Sequence, residues 1–198
     1  MKDLNEIKKT ADKSIAERVI KRDEDGNAII NMTVNDDSYF LSPFSISDKP
    51  VIDNEVANFL ENRTKGFLPK EQFTLNVYSD CIDDGEKKVY SKAIKEYFSE
   101  HYVANEREVE RNTILSFILS VVGIAVLVLM IALENFFGVI WTEVLDIVAW
   151  VFLWEAVYLY FFHNRSLKLK RYRYLALMSM NIRFYSQKEY KPDQNGSI

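Results

Sequence analysis

Two apolar runs, Ile114 to Leu133 and Val139 to Phe162, are separated by the short link Glu134-Asn135-Phe136-Phe137-Gly138. Each run is long enough to cross a hydrocarbon core of roughly 30 Å as a helix. The link is too short to return through lipid and holds no Lys or Arg. The expectation is therefore an integral membrane protein whose two spans form an antiparallel helical hairpin with its tip outside.

Charge sets the expected orientation. Arg165, Lys168, Lys170, Arg171 and Arg173 follow the second span with no acidic residue among them, whereas no Lys or Arg lies between Asn112 and Asn164. Basic flanks stay on the cytoplasmic side, so both termini are expected there and the localisation is a plasma (inner) membrane crossed twice. The flank before the first span, Glu106 to Arg111, is of mixed sign and adds little. The formal charge of -4 and the 48% hydrophobic content average an acidic polar part with an apolar hairpin, so regions inform more than totals. Met1 to Lys21 is charged throughout and lacks the short apolar stretch of a cleaved signal, which leaves the first span as the expected insertion signal. A single cysteine, Cys81, excludes an internal disulfide and a multi-cysteine metal site, and His101 and His163 do not make up the ligand deficit.

Outside the spans the pattern predicts an α+β unit: a small cytoplasmic sheet covered by helices and joined to the two-helix transmembrane hairpin. Residues 1–25 read as a charged helix and turn, with Leu4, Ile7, Ala11, Ile15 and Val19 at helical spacing; the helix either meets a partner or membrane surface or lies on its own domain. The unit itself takes residues 26–103 plus 180–186. Ala28 to Val34 and Tyr39 to Ile46 are expected as strands of a hairpin turning at Asn35-Asp36-Asp37, with Pro43 confining the second to an edge. Val51, Ile52, Val56, Phe59 and Leu60 share a helical face ending near Gly66, and Phe73 to Tyr78 alternates as a half-buried strand does.

From Glu86 a wide apolar stripe, Val89 to Phe98, predicts a helix. Residues 104–112 are polar but hold no Gly or Pro, so this neck should carry the helix unbroken into the hairpin of residues 113–164 as a rod of roughly 70 Å. Residues 165–179 read as a basic juxtamembrane helix near anionic headgroups, with Arg165, Lys168, Lys170, Arg171 and Arg173 as headgroup contacts and membrane lipid as a partner. Ile182, Phe184 and Tyr185 mark a strand able to return to the sheet, and residues 187–198 read as a disordered tail.

Ionisable groups inside a span are the first candidates for function. Counting back from His163, Glu155 lies about 12 Å into the core and Asp146 about 25 Å, near the far surface, with Glu143 in the interface beyond. A central carboxylate costs about 3 kcal/mol, which the second span's aliphatic residues offset narrowly, so the span needs a partner. Ser116, Ser120 and Gly123 present a face of small residues on the first span, and antiparallel pairing brings Ser120 to the depth of Glu155. Glu155 is then either a hydrogen-bonded carboxyl locking the hairpin or a protomer contact, or a proton or cation ligand in an oligomeric path. Trp141, Trp150 and Trp154 suit a membrane belt.

Enzyme signals are poor. Cys81 with His101 would need a proximity that nothing in the sequence indicates. Asp80, Asp83, Asp84 and Glu86 lack EF-hand spacing and read better as a helix N-terminus. No phosphate-binding, dinucleotide, zinc-protease or nucleic-acid motif is present, so no cofactor, metal or nucleic acid is expected.

The stretch Ala149-Trp150-Val151-Phe152-Leu153-Trp154-Glu155-Ala156-Val157, the basic segment after it and the Ile182-Arg183-Phe184 strand resemble small two-span bacterial membrane proteins. The resemblance covers about residues 70 to 185 and implies a soluble α+β part preceding a hairpin; it implies no activity. The expectation is thus a non-enzymatic anchor, scaffold or sensor, acting as a homo-oligomer with a cytoplasmic protein partner. The alternative is an oligomeric channel or membrane-perturbing effector with Glu155 in its pore.

Overall fold

A computed structural model describes residues 21–68, 70–133 and 138–190. The helix expected over residues 1–22 therefore lies almost wholly outside the described residues, as do most of the hairpin tip and the end of the tail. The elements are β1 (Ala28–Thr33), α1 (Asn54–Thr64), β2 (Phe73–Tyr78), α2 (Asp84–Leu133), α3 (Val139–Val157), a π turn (Tyr158–His163), α4 (Asn164–Ser179), β3 (Asn181–Tyr185) and a short 3-10 turn (Gln187–Glu189). The class is α+β, and two of the helical stretches are long and apolar enough to span a membrane. The chain divides into two units: one draws on Met1–Gly66, Glu71–Ala93 and Ser179–Ile198, the other on Phe67–Lys70 and Ile94–Met178. As expected for a neck without breakers, α2 is one uninterrupted helix of 50 residues, shared by both units.

In the first unit the three strands are parallel in the order β1-β2-β3. Parallel neighbours need a crossover rather than a tight turn. Between β1 and β2 that crossover is α1; between β2 and β3 it is the whole of α2 to α4. Register puts Ala28, Ile30 and Met32 beside Phe73, Leu75 and Val77, and Leu75 and Val77 beside Ile182 and Phe184. One face of the sheet is thus apolar, and its β1 and β2 residues are buried.

β2 differs from the expected half-buried strand. Thr74, on the opposite face, is fully enclosed, and Asn76 is nearly so. The strand's polar side chains bond to neighbours in part, and Asn76 Oδ1 is buried without a partner among the described residues. Thr74 Oγ1 donates to Asp23 Oδ2 at 2.6 Å, and Asn76 Nδ2 donates to Asn31 Oδ1 at 3.3 Å.

The expected hairpin at Asn35-Asp36-Asp37 is absent, and Tyr39 to Ile46 is not a strand. That segment is a chain of turns with single bridges Leu41 to Ile52 and Ile46 to Lys49. Pro43 removes a donor, and the Ser45 hydroxyl takes the Val51 N–H at 3.0 Å, a local bond that competes with a ladder. What anchors the segment is Phe40, buried and stacked on Tyr90 at 4.3 Å between ring centroids. α1 begins later than its apolar pattern predicts, because Asp53 caps it by accepting from the Glu55 N–H at 2.8 Å. It ends at Thr64, with Lys65 rather than Gly66 as the cap.

The start of the expected disordered tail is ordered. Ser186 caps the 3-10 turn, the Tyr190 ring packs edge-on against Tyr78, and Ser186 and Gln187 bond to groups at the ends of other strands.

Candidate functional site

The second unit holds the hairpin, and its two helices meet along a seam of small and polar residues. On α2 the buried polar positions are Asn105, Asn112 and Ser116, with Gly123 also enclosed. Their spacing of seven, four and seven residues is that of a heptad seam. On the returning stretch the buried positions are Ala149, Ala156, Asn164 and Leu167. Here the step from Ala156 to Asn164 is eight where a heptad expects seven, and the π turn between them supplies the extra residue. Without that insertion His163 would occupy the seam. The sequence pattern alone did not reveal this device, since the irregularity lies in the backbone.

Hydrogen bonds fix the antiparallel pairing. Asn105 Nδ2 donates to the Leu167 carbonyl at 2.9 Å, and Asn164 Nδ2 donates to Thr113 Oγ1 at 3.1 Å, while Thr113 Oγ1 itself donates to the Val109 carbonyl. A Cβ built on Gly123 would stand 2.8 Å from Leu153 Cγ and 3.2 Å from the Ala149 carbonyl oxygen, so the helices touch backbone to backbone there. Two buried atoms in the seam, Asn112 Nδ2 and Asn164 Oδ1, have no hydrogen-bond partner among the described residues.

The sequence-derived candidates fall on three different faces. Ser116 and Gly123 belong to the seam. Ser120 is at its margin, and its hydroxyl donates along its own helix to the Ser116 carbonyl at 2.9 Å. Glu155 does not face the seam: it precedes Ala156 by one residue, about 100° round the helix, and lies exposed on the outside of the hairpin. No described residue is hydrogen-bonded or ion-paired to it. Asp146 is half-buried and Glu143 exposed, on a third face.

The basic segment is also divided. Arg171 ion-pairs with Glu106 at 3.0 Å and lies over the Tyr102 ring, so it ties α4 to α2. Arg173 is half-buried, with an enclosed Nε that has no partner among the described residues. Arg165, Lys168 and Lys170 are exposed and available to an anionic surface. His163 Nε2 lies 3.6 Å from a Glu108 carboxylate oxygen.

In the first unit the ends of the three parallel strands are joined by side chains, among them Asp80, which the sequence reading assigned to a helix N-terminus. Asp80 accepts from the Ser186 hydroxyl at 2.7 Å and the Gln187 N–H at 3.1 Å, and the Gln187 amide donates to Asn35. These bonds, the hydroxyl's first, hold the Asp80 carboxyl below its ordinary value of 3.8. Asp23 is lowered likewise, chiefly by Thr74. Asp83 caps α2 by accepting from the Gly85 and Glu86 N–H groups, while Glu86 returns a bond to the Asp83 N–H. Among the described residues no three His, Cys, Asp or Glu side chains are gathered to hold a metal ion. Cys81 is exposed, with Sγ 3.0 Å from the Ser79 hydroxyl; the His101 ring packs at a tilt against Tyr97 and Tyr174 in the other unit.

The lowered carboxyls give a pH prediction. Asp23 and Asp80 bind fewer protons folded than unfolded, so their stabilisation is complete above the unfolded value near 3.8 and is lost as pH falls through the folded values. Urea midpoints of the α+β unit should therefore fall below about pH 4, and Asp80→Asn should flatten that fall by removing one titrating group. Equal slopes for the two proteins would refute it.

Comparison with family models, curated proteins and solved structures finds no match to this chain.

Proposed function

We propose that this protein is a two-span inner-membrane anchor carrying a cytoplasmic α+β module that scaffolds or senses through a protein partner, without catalysis. The observation that carries the reading is the outward face of the hairpin. Only 11% of each apolar window is buried within the chain. Contiguous apolar surface of that extent needs a cover, and lipid suits two helices of spanning length. The polar seam supports the same reading, because close contacts at small residues and interhelical hydrogen bonds are how helices associate where lipid removes the hydrophobic drive. The exposed Arg165, Lys168 and Lys170 beyond the second span favour termini on the cytoplasmic side.

The module supports binding rather than chemistry. Four of its carboxylates are engaged within the fold: Asp23 with Thr74, Asp80 with Ser186 and Gln187, Asp83 with the start of α2, and Asp37 with the Tyr90 hydroxyl at 2.9 Å. Its exposed apolar side chains, Tyr39, Phe44 and Ile46, sit on the turn segment before α1, where a protein partner would find them. Orientation is tested by cysteine labelling of intact cells on a Cys81→Ser background. A cysteine at Asn135 should react with an impermeant maleimide and one at Ser197 only after permeabilisation. The reverse pattern would overturn the topology.

A further inference from the structure

We propose that a second copy of this chain covers the stripe Val144, Val148, Val151 and Glu155 of α3, in parallel, with the two Glu155 carboxyls hydrogen-bonded to each other. The proposal rests on the membrane reading above and names the partner of its outward face. The four residues are spaced by four, three and four and are all exposed. At about 100° per residue they form one line, roughly 130° round α3 from the seam residues Ala149 and Ala156. Trp150, Trp154 and Glu143 lie on the opposite flank, while Trp141, three residues before Val144, continues the line toward the start of α3.

Three features direct the stripe toward a copy of itself. The spacing is that of a helix-packing seam, and β-branched valines with a single polar position are what fixes register in a parallel pair. The polar position has no partner among the described residues: Ser120, at the margin of the seam, donates along its own helix to the Ser116 carbonyl. Headgroups are about 12 Å away, so a partner must come from another helix at that depth.

A parallel two-fold pair about the membrane normal brings every residue to its own counterpart at equal depth. A carboxyl is self-complementary under that symmetry, since a protonated carboxyl both donates and accepts. Pairing therefore answers the cost of the intramembrane acid without any residue of opposite charge.

The test uses the full-length Cys81→Ser protein in native membranes and in liposomes. Single cysteines replace Val148 or Val151 on the stripe, and Trp150 or Trp154 on the other flank. Oxidation should give a disulfide-linked homodimer from the stripe positions and little from the tryptophan positions. In dilution series, Glu155→Gln should retain dimerisation, because the amide also donates and accepts, whereas Glu155→Leu should weaken it about 3- to 20-fold. Equal cross-linking on both flanks, no dimer, cross-links only to a different protein, or no effect of Glu155→Leu would each overturn the pairing. An alkaline carbonate wash separates the two levels: release of the chain into the supernatant defeats the membrane reading and the dimer with it, while retention without stripe cross-links defeats the dimer alone.

Discussion

Truncation after Ser179 is expected to remove most of the stability of the α+β unit while leaving the hairpin inserted. The deleted stretch carries Met180, which is buried, and the β3 residues Ile182 and Phe184, which are half-buried beside Leu75 and Val77. Full burial of such a side chain contributes about 1.5 to 3 kcal/mol. One full and two partial burials then amount to about 3 to 6 kcal/mol, comparable with the total stability of a small domain. The loss goes further, because Asp80 forfeits both donors from Ser186 and Gln187, and β2 changes from a central strand to an edge. Pulse proteolysis in urea on membranes from both proteins gives the readout. An unchanged midpoint would mean that β3 contributes nothing to the unit.

How much of this was legible depended on whether the signal was local. Runs of apolar residues and the absence of breakers through residues 104–112 marked the hairpin and the unbroken α2, because helix propagation depends on near neighbours. Alternation marked Phe73 to Tyr78 as a strand but misjudged its burial; Thr74 and Asn76 look solvent-facing in sequence, yet both are buried and bonded to residues distant in sequence, Asp23 and Asn31. Tyr39 to Ile46 went wrong for a related reason. Its β-type residues serve to seat Phe40 against Tyr90, a contact between residues fifty positions apart.

For the hairpin candidates the sequence carried spacing along the helices and not direction. Rise per residue places Ser120 and Glu155 at one level, but facing depends on the helix rotation set by Gly123, Ala149 and Ala156. The π turn at Tyr158–His163 adds a residue, so heptad counting from Ala156 selects His163 and misses Asn164. Asn164 then proves to be the side chain that bonds to Thr113.

Gly123 is where that rotation is most vulnerable. Gly123→Val should separate the two helices, because the new Cβ would meet Leu153 Cγ at 2.8 Å, Leu153 Cδ2 at 3.0 Å and the Ala149 carbonyl oxygen at 3.2 Å. The Leu153 contacts involve a flexible side chain that can turn aside. The Ala149 contact involves backbone, and relieving it moves α3 bodily away from α2. Overpacking of this kind costs about 1 to 3 kcal/mol. Displacement should also strain the bonds from Asn105 to Leu167 and from Asn164 to Thr113, which depend on the same interhelical distance. Gly123→Ala, with no γ-carbons, should cost less than Val. Adding Leu153→Ala to Gly123→Val should recover only part of the loss, since it frees the side-chain contact and leaves the carbonyl in place. Steric trapping of hairpin opening in bicelles measures these differences directly. A Val variant as stable as the parent would show that the helices do not meet at Gly123, and full rescue by Leu153→Ala would show that the backbone contact with Ala149 carries no cost.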